Sequence, residues 1–120
     1  MPPTPLADQA TLTLAVDFCI RELTRYGLKS IFLIGSRASG SPRDKSDHDL
    51  LAVVSDSAPR EIGTGQKIGM QIFEDLCREI RKAGVGPVDL VIQRQGHYLA
   101  TVNTLGSFAN ATVAGGIKLV

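Results

Sequence analysis

With 120 residues the chain has room for one core of ordinary domain size, and nothing in its length calls for a second unit. Hydrophobic residues make up 43% and charged residues 21%, a balance that excludes disordered, collagen-like and coiled-coil chains. The formal net charge of +1 lacks the basic excess of proteins that grip nucleic acid by neutralising phosphates, so a nucleic-acid partner is not indicated.

No apolar run approaches the roughly 20 residues that span a bilayer, and Met1-Pro2-Pro3 lacks the basic start and apolar stretch of a secretory signal. A cytoplasmic protein without a membrane partner is the expectation. Cys19 and Cys77 are spaced neither as a metal knuckle nor as a redox pair, so buried free thiols in a reducing compartment are expected.

The proline-rich opening, Met1 to Pro5, reads as a frayed arm. From Asp8 to Tyr26, Leu12, Val16, Cys19, Leu23 and Tyr26 recur at steps of three and four and predict a first helix, stopped at Gly27. Ser30 to Ile34 is a short, continuous apolar run closed by Gly35, which suggests a strand covered on both faces. A small, polar loop fills Ser36 to Asp47, and His48 to Val54 returns to strand-like composition.

After a loop from Ser55 to Gly65, Ile68, Ile72, Leu76 and Ile80 repeat every four residues as a second amphipathic helix, ended by Gly84. Val88 to Ile92 predicts a third strand. Leu99, Val102, Leu105 and Ala109 suggest a third helix, and Ile117 to Val120 a short fourth strand. The order helix, strand, strand, helix, strand, helix around one mixed sheet is an α/β (α+β) domain occupying residues 1–120.

Three features carry chemistry. The Gly35-Ser36-Arg37 turn can present amide, hydroxyl and guanidinium donors to a phosphate, and a helix starting there would strengthen the anion site. Asp47 and Asp49 stand two apart at a strand start, so both carboxylates point to one face. Their mutual repulsion is relieved by a cation between them, and hard oxygen donors favour Mg²⁺. Asp89 places a third carboxylate inside an apolar strand, where pairing, hydrogen bonding or a metal is needed. By the same alternation, His48 faces away from the aspartates and is expected to be packed or hydrogen-bonded.

Gly35-Ser36-Arg37-Ala38-Ser39-Gly40 followed by Ser46-Asp47-His48-Asp49-Leu50, with Asp89 in Val88-Asp89-Leu90-Val91, resembles the signature of the DNA polymerase beta-like nucleotidyltransferase superfamily. The short chain is similar to its minimal nucleotidyltransferase subgroup, which pairs as antitoxin with HEPN-domain toxins. The resemblance implies that Asp47, Asp49 and Asp89 hold two Mg²⁺ ions. It also implies that Gly35 and Ser36, with Arg37 as a further candidate, hold the phosphates of ATP or another nucleoside triphosphate. A hydroxyl then attacks the α-phosphate and pyrophosphate leaves; two ions acting on an in-line displacement need clustered carboxylates and no nucleophilic side chain. Asp89 is the evident base.

The acceptor implied is a hydroxyl on the partner toxin, in a homo- or hetero-oligomer. Two other readings stand beside it: a non-catalytic antitoxin that neutralises its partner by contact, and a small-molecule enzyme of the aminoglycoside-modifying kind.

Overall fold

The computed structural model describes residues 1–120. Helix α1 spans Gln9–Leu23, and the Asp8 side chain caps it by accepting from the Thr11 amide at 3.1 Å. Past Leu23 the chain tightens into a 3₁₀ turn, Thr24–Tyr26, and Gly27, at φ 73°, reverses it into the sheet. The helical periodicity therefore holds as far as Leu23 and the last turn of the expected span is 3₁₀. Because the cap also receives the Thr11 hydroxyl at 2.6 Å, Asp8→Ala is expected to cost about 1 kcal/mol of stability, measurable by urea denaturation.

Four strands follow: β1 Leu28–Ile34, β2 His48–Val54, β3 Val88–Arg94 and β4 Ile117–Lys118. They are ordered β3-β2-β1-β4. β1 is antiparallel to β2 and to β4, whereas β2 and β3 are parallel. A parallel pair cannot be joined by a hairpin; here α3, Lys67–Ala83, makes the crossover and ends at Gly84, in the left-handed region at φ 68°. The remaining helices are α2 Ser36–Ser39, α4 Gln95–Thr101 and α5 Phe108–Val113. The architecture is the expected mixed sheet flanked by helices.

Alternation along the strands builds two apolar layers. On one face Ile31, Leu33, Leu50, Ala52, Val54, Leu90 and Ile92 pack against α1 and α3 residues such as Leu12, Phe18, Cys19, Ile72 and Leu76. On the other, Ile34, Leu51, Val53 and Val91 meet Phe32, Tyr98 and Ala111. Tyr98 stacks on Phe32 with ring centroids 5.9 Å apart and shares a 2.7 Å hydrogen bond with Thr112, which fastens α4 and α5 to this second face. Both cysteines are free; Cys19 is buried, which pushes its thiol up to about 12, and Cys77 is half-buried. No helix is long and apolar enough to cross a membrane.

Two sequence expectations change. The single helix expected through Leu99 and Ala109 is two short helices, because Gly106, at φ 83°, turns the chain and Ser107 caps α5 by accepting from the Asn110 amide. Leu99 and Leu105, whose spacing suggests that helix, are 61% and 89% exposed. The opening arm is also tied down: Thr4 is buried, and its carbonyl and hydroxyl both accept from the Gln9 side chain.

Candidate active site

The residues singled out in the sequence gather where β1 leaves the sheet and β2 and β3 begin. Gly35 follows the last residue of β1 with φ 75° and ψ −156°, a region open essentially to glycine. The space is as demanding as the backbone: a Cβ on Gly35 would stand 2.5 Å from Asp49 Oδ2. The Gly35 turn and the Asp49 carboxylate are therefore in direct apposition. Ser36 opens α2, in which the Ala38 and Ser39 amides already donate to the Gly35 carbonyl at 3.1 and 3.3 Å.

Asp49 pairs with Ile34 across the antiparallel ladder and with Asp89 across the parallel one. Adjacent strands lie about 4.8 Å apart, so the two carboxylates occupy neighbouring positions on the face that carries α4 and α5. Both line a cavity of about 620 Å³ together with Gly35, Ser36 and Ser39 on one side and Phe108 and Asn110 of α5 on the other. Asp89 is exposed; its Oδ1 accepts from the Leu90 amide at 2.9 Å, and Oδ2 has no hydrogen bond within the chain. Burial raises the Asp49 pKa, and the negative charges of Asp47 and then Asp89 raise it further.

Asp47 lies one residue before β2, exposed and outside the cavity lining, although its charge is felt at Asp49. As they stand, the three carboxylates are not drawn into a metal-binding cluster. Their chemistry nevertheless fits a hard divalent cation: all donors are oxygen, no thiolate or imidazole competes, and Asp49 is held where neighbouring negative charge opposes its ionisation.

Arg37, singled out beside Gly35 and Ser36, is engaged elsewhere. Its guanidinium donates five hydrogen bonds of 3.1–3.3 Å to the carbonyls of Leu6, Arg43, Asp44 and Ser46, and it does not line the cavity. The planar fork instead holds the loop before Asp47 in shape.

His48, fully buried on the opposite face, proves to be the fastener of the site. Its amide and its Nδ1–H both donate to the Pro87 carbonyl at 2.9 Å, while Nε2 accepts from the Asp8 amide at 3.0 Å. One ring thus ties the start of β2 to the start of β3 and to α1, which sets the register that places Asp49 beside Asp89. Burial holds the His48 pKa below the ordinary 6.5; the Pro87 hydrogen bond opposes this and the Arg37 charge assists it. The unfolded chain then takes up the proton first. Stability is expected to be full above about pH 6.5 and to fall progressively as acid is added toward the folded pKa, in urea titrations. An unchanged midpoint between about pH 7.5 and 5 would contradict it.

No protein-family model matches the chain, and no curated protein matches it in sequence. Among solved structures, a crystal structure of the MntA–HpeT toxin–antitoxin pair carrying two aspartate-to-glutamate substitutions aligns with 87% of this chain and 71% of its own, at 19% identity and a TM-score of 0.51. A crystal structure of a toxin–antitoxin with AMP-PNP aligns over the same shares with the same TM-score, at 21% identity. This chain shares their fold. At such identities the likeness extends to the backbone architecture, and the site must be argued from the residues above.

Proposed function

We propose that the chain is a Mg²⁺-dependent nucleotidyltransferase that moves a nucleotide, AMP from ATP as the first candidate, to a hydroxyl on a partner toxin, and so acts as an antitoxin. The observation that carries this reading is the in-register pair Asp49 and Asp89, facing the Gly35-Ser36 turn across one cavity. The fold neighbours support it: both are toxin–antitoxin structures, one holds AMP-PNP, and the aspartates changed in the other stand two residues apart, as Asp47 and Asp49 do.

The Gly35-Ser36 turn receives the β- and γ-phosphates, because only glycine lets the backbone come this close to Asp49. Asp47, Asp49 and Asp89 are the residues that would hold Mg²⁺. Bound there, the metal supplies positive charge against the triphosphate and the attacking oxygen. The acceptor oxygen forms a new bond to the α-phosphorus, the bond to the bridging oxygen breaks, and pyrophosphate leaves. The hydroxyl proton passes to the unbonded oxygen of Asp89. The resemblance to minimal nucleotidyltransferases makes a HEPN-type toxin the expected partner, in the cytoplasm, where the thiols of Cys19 and Cys77 stay reduced.

The test is to incubate the protein with ATP labelled at the α-phosphate, Mg²⁺ and the product of the neighbouring gene. Label is expected on the partner, and none with Asp49→Asn. Failure of all four ribonucleoside triphosphates to label the partner would sink the enzymatic reading, and protection of cells by Asp49→Asn would favour neutralisation by contact.

A further inference from the structure

A second cavity of about 410 Å³ lies along β3 beyond the first, and the two share Val91 and Phe108 as a common wall. Their chemistries are opposite. The first is lined by Asp49 and Asp89 and by no cationic residue; the second is lined by Arg60, Arg94 and His97 and by no carboxylate. The chain's three salt bridges involve Arg21 and Arg78, so neither Arg60 nor Arg94 is paired with an acid. Beside the cavity, Asp56 is occupied in holding the chain: its Oδ1 accepts from the Gly96 amide, next to His97.

Gln93 lines the same cavity, and its Oε1 is buried without a hydrogen-bond partner. A buried acceptor without a partner is costly, and a ligand N–H would relieve it. Phe108, 54% exposed, stands at the boundary with one side toward each cavity. An arginine pair, an acceptor in want of an amide and an exposed aromatic ring together suit a peptide with anionic side chains.

Resting on the nucleotidyltransferase reading, we infer that this second cavity anchors the acceptor protein through an acidic segment flanking its reactive hydroxyl. The segment's carboxylates pair with Arg60 and Arg94, one of its amides donates to Gln93 Oε1, and the chain passes over Phe108 to deliver the hydroxyl to Asp89. Asp89 and Arg94 are five residues apart on one strand, about 16 Å. An extended peptide covers that span in about five residues, so the acidic side chains belong some three to five positions from the hydroxyl. A polynucleotide fits less well: the chain's net charge is only +1, without the basic excess that holds a phosphate backbone.

The test uses short fluorescent peptides with one tyrosine and glutamates three to five positions to either side, compared with the same peptides carrying glutamine. Anisotropy is read on the full chain without nucleotide or metal. The glutamate form is expected to bind about tenfold tighter, and Arg60→Gln and Arg94→Gln each to remove most of that difference while the circular-dichroism melt stays unchanged. Equal binding of the two peptides overturns the inference, as does displacement of the acidic peptide by a lower concentration of single-stranded oligonucleotide. In labelled transfer, Arg94→Gln is expected to raise KM for the peptide about tenfold with kcat unchanged; a fall in kcat alone also overturns it. Charge-dependent binding with no transfer leaves the anchor standing and removes the nucleotidyltransferase reading. Transfer indifferent to peptide charge does the reverse.

Discussion

Replacing Asp89 by asparagine is expected to lower nucleotide transfer by about 10²–10⁴-fold, the range contributed by a positioned acid or base, with the melting temperature unchanged. Asp89 is exposed, and its one internal hydrogen bond accepts the Leu90 amide through Oδ1. Asparagine keeps an oxygen for that bond and nearly the same volume, so the fold has no reason to respond. What disappears is the negative charge beside Asp49 and the unbonded oxygen proposed to take the hydroxyl proton. Rate measurements with Asp89→Asn beside circular-dichroism melts check both halves; transfer within a few-fold of wild type would remove Asp89 from the mechanism. Asp89→Glu keeps the charge but lengthens the side chain, and is expected to fall between the two.

Gly35→Ala is the second large effect. At φ 75° and ψ −156° an alanine is strained by about 1–3 kcal/mol, and its methyl carbon would fall 2.5 Å from Asp49 Oδ2. The carboxylate lies at the end of a rotatable side chain, so it can swing away and the protein can still fold. That swing removes Asp49 from its place beside Asp89. The expected result is a modest drop in urea stability together with a loss of transfer as deep as that of Asp49→Asn. A stability loss without a loss of transfer would show that the turn and the carboxylate are not coupled.

The difference between what was legible and what was not follows from the range of the interactions. The boundaries of β2 were legible because the polar loop before His48 changes abruptly to Leu50, Leu51, Ala52, Val53 and Val54. The C-terminus of α3 was legible because Gly84 is a local stop. The facing of Asp49 followed from the period of two. Its pairing with Asp89 did not, because that depends on β2 and β3 being parallel neighbours, a matter of strand order across α3.

Arg37 shows the limit from the other direction. Its place after Gly35-Ser36 suggested a phosphate ligand, yet its five hydrogen bonds go to carbonyls as remote in sequence as that of Leu6. Alternation correctly turned His48 away from the aspartates; its partners Asp8 and Pro87, some forty residues off on either side, left no local signal. The break between α4 and α5 did leave one: Gly106-Ser107 is a turn followed by a cap, and the apolar spacing of Leu99, Val102, Leu105 and Ala109 masked it. The α5 residues that wall the cavity, Phe108 and Asn110, could be placed there only by tertiary packing.

We propose that the carboxylates and the glycine turn form one cation and triphosphate site. Its most direct test is Mn²⁺ binding followed by electron paramagnetic resonance in the presence of a non-hydrolysable ATP analogue. Wild-type protein is expected to show saturable binding that needs the analogue and is lost in Asp49→Asn, but is kept when the exposed, distant Asp17 is changed to asparagine. Equal Mn²⁺ binding by wild type and Asp49→Asn would show that Asp49 holds no metal.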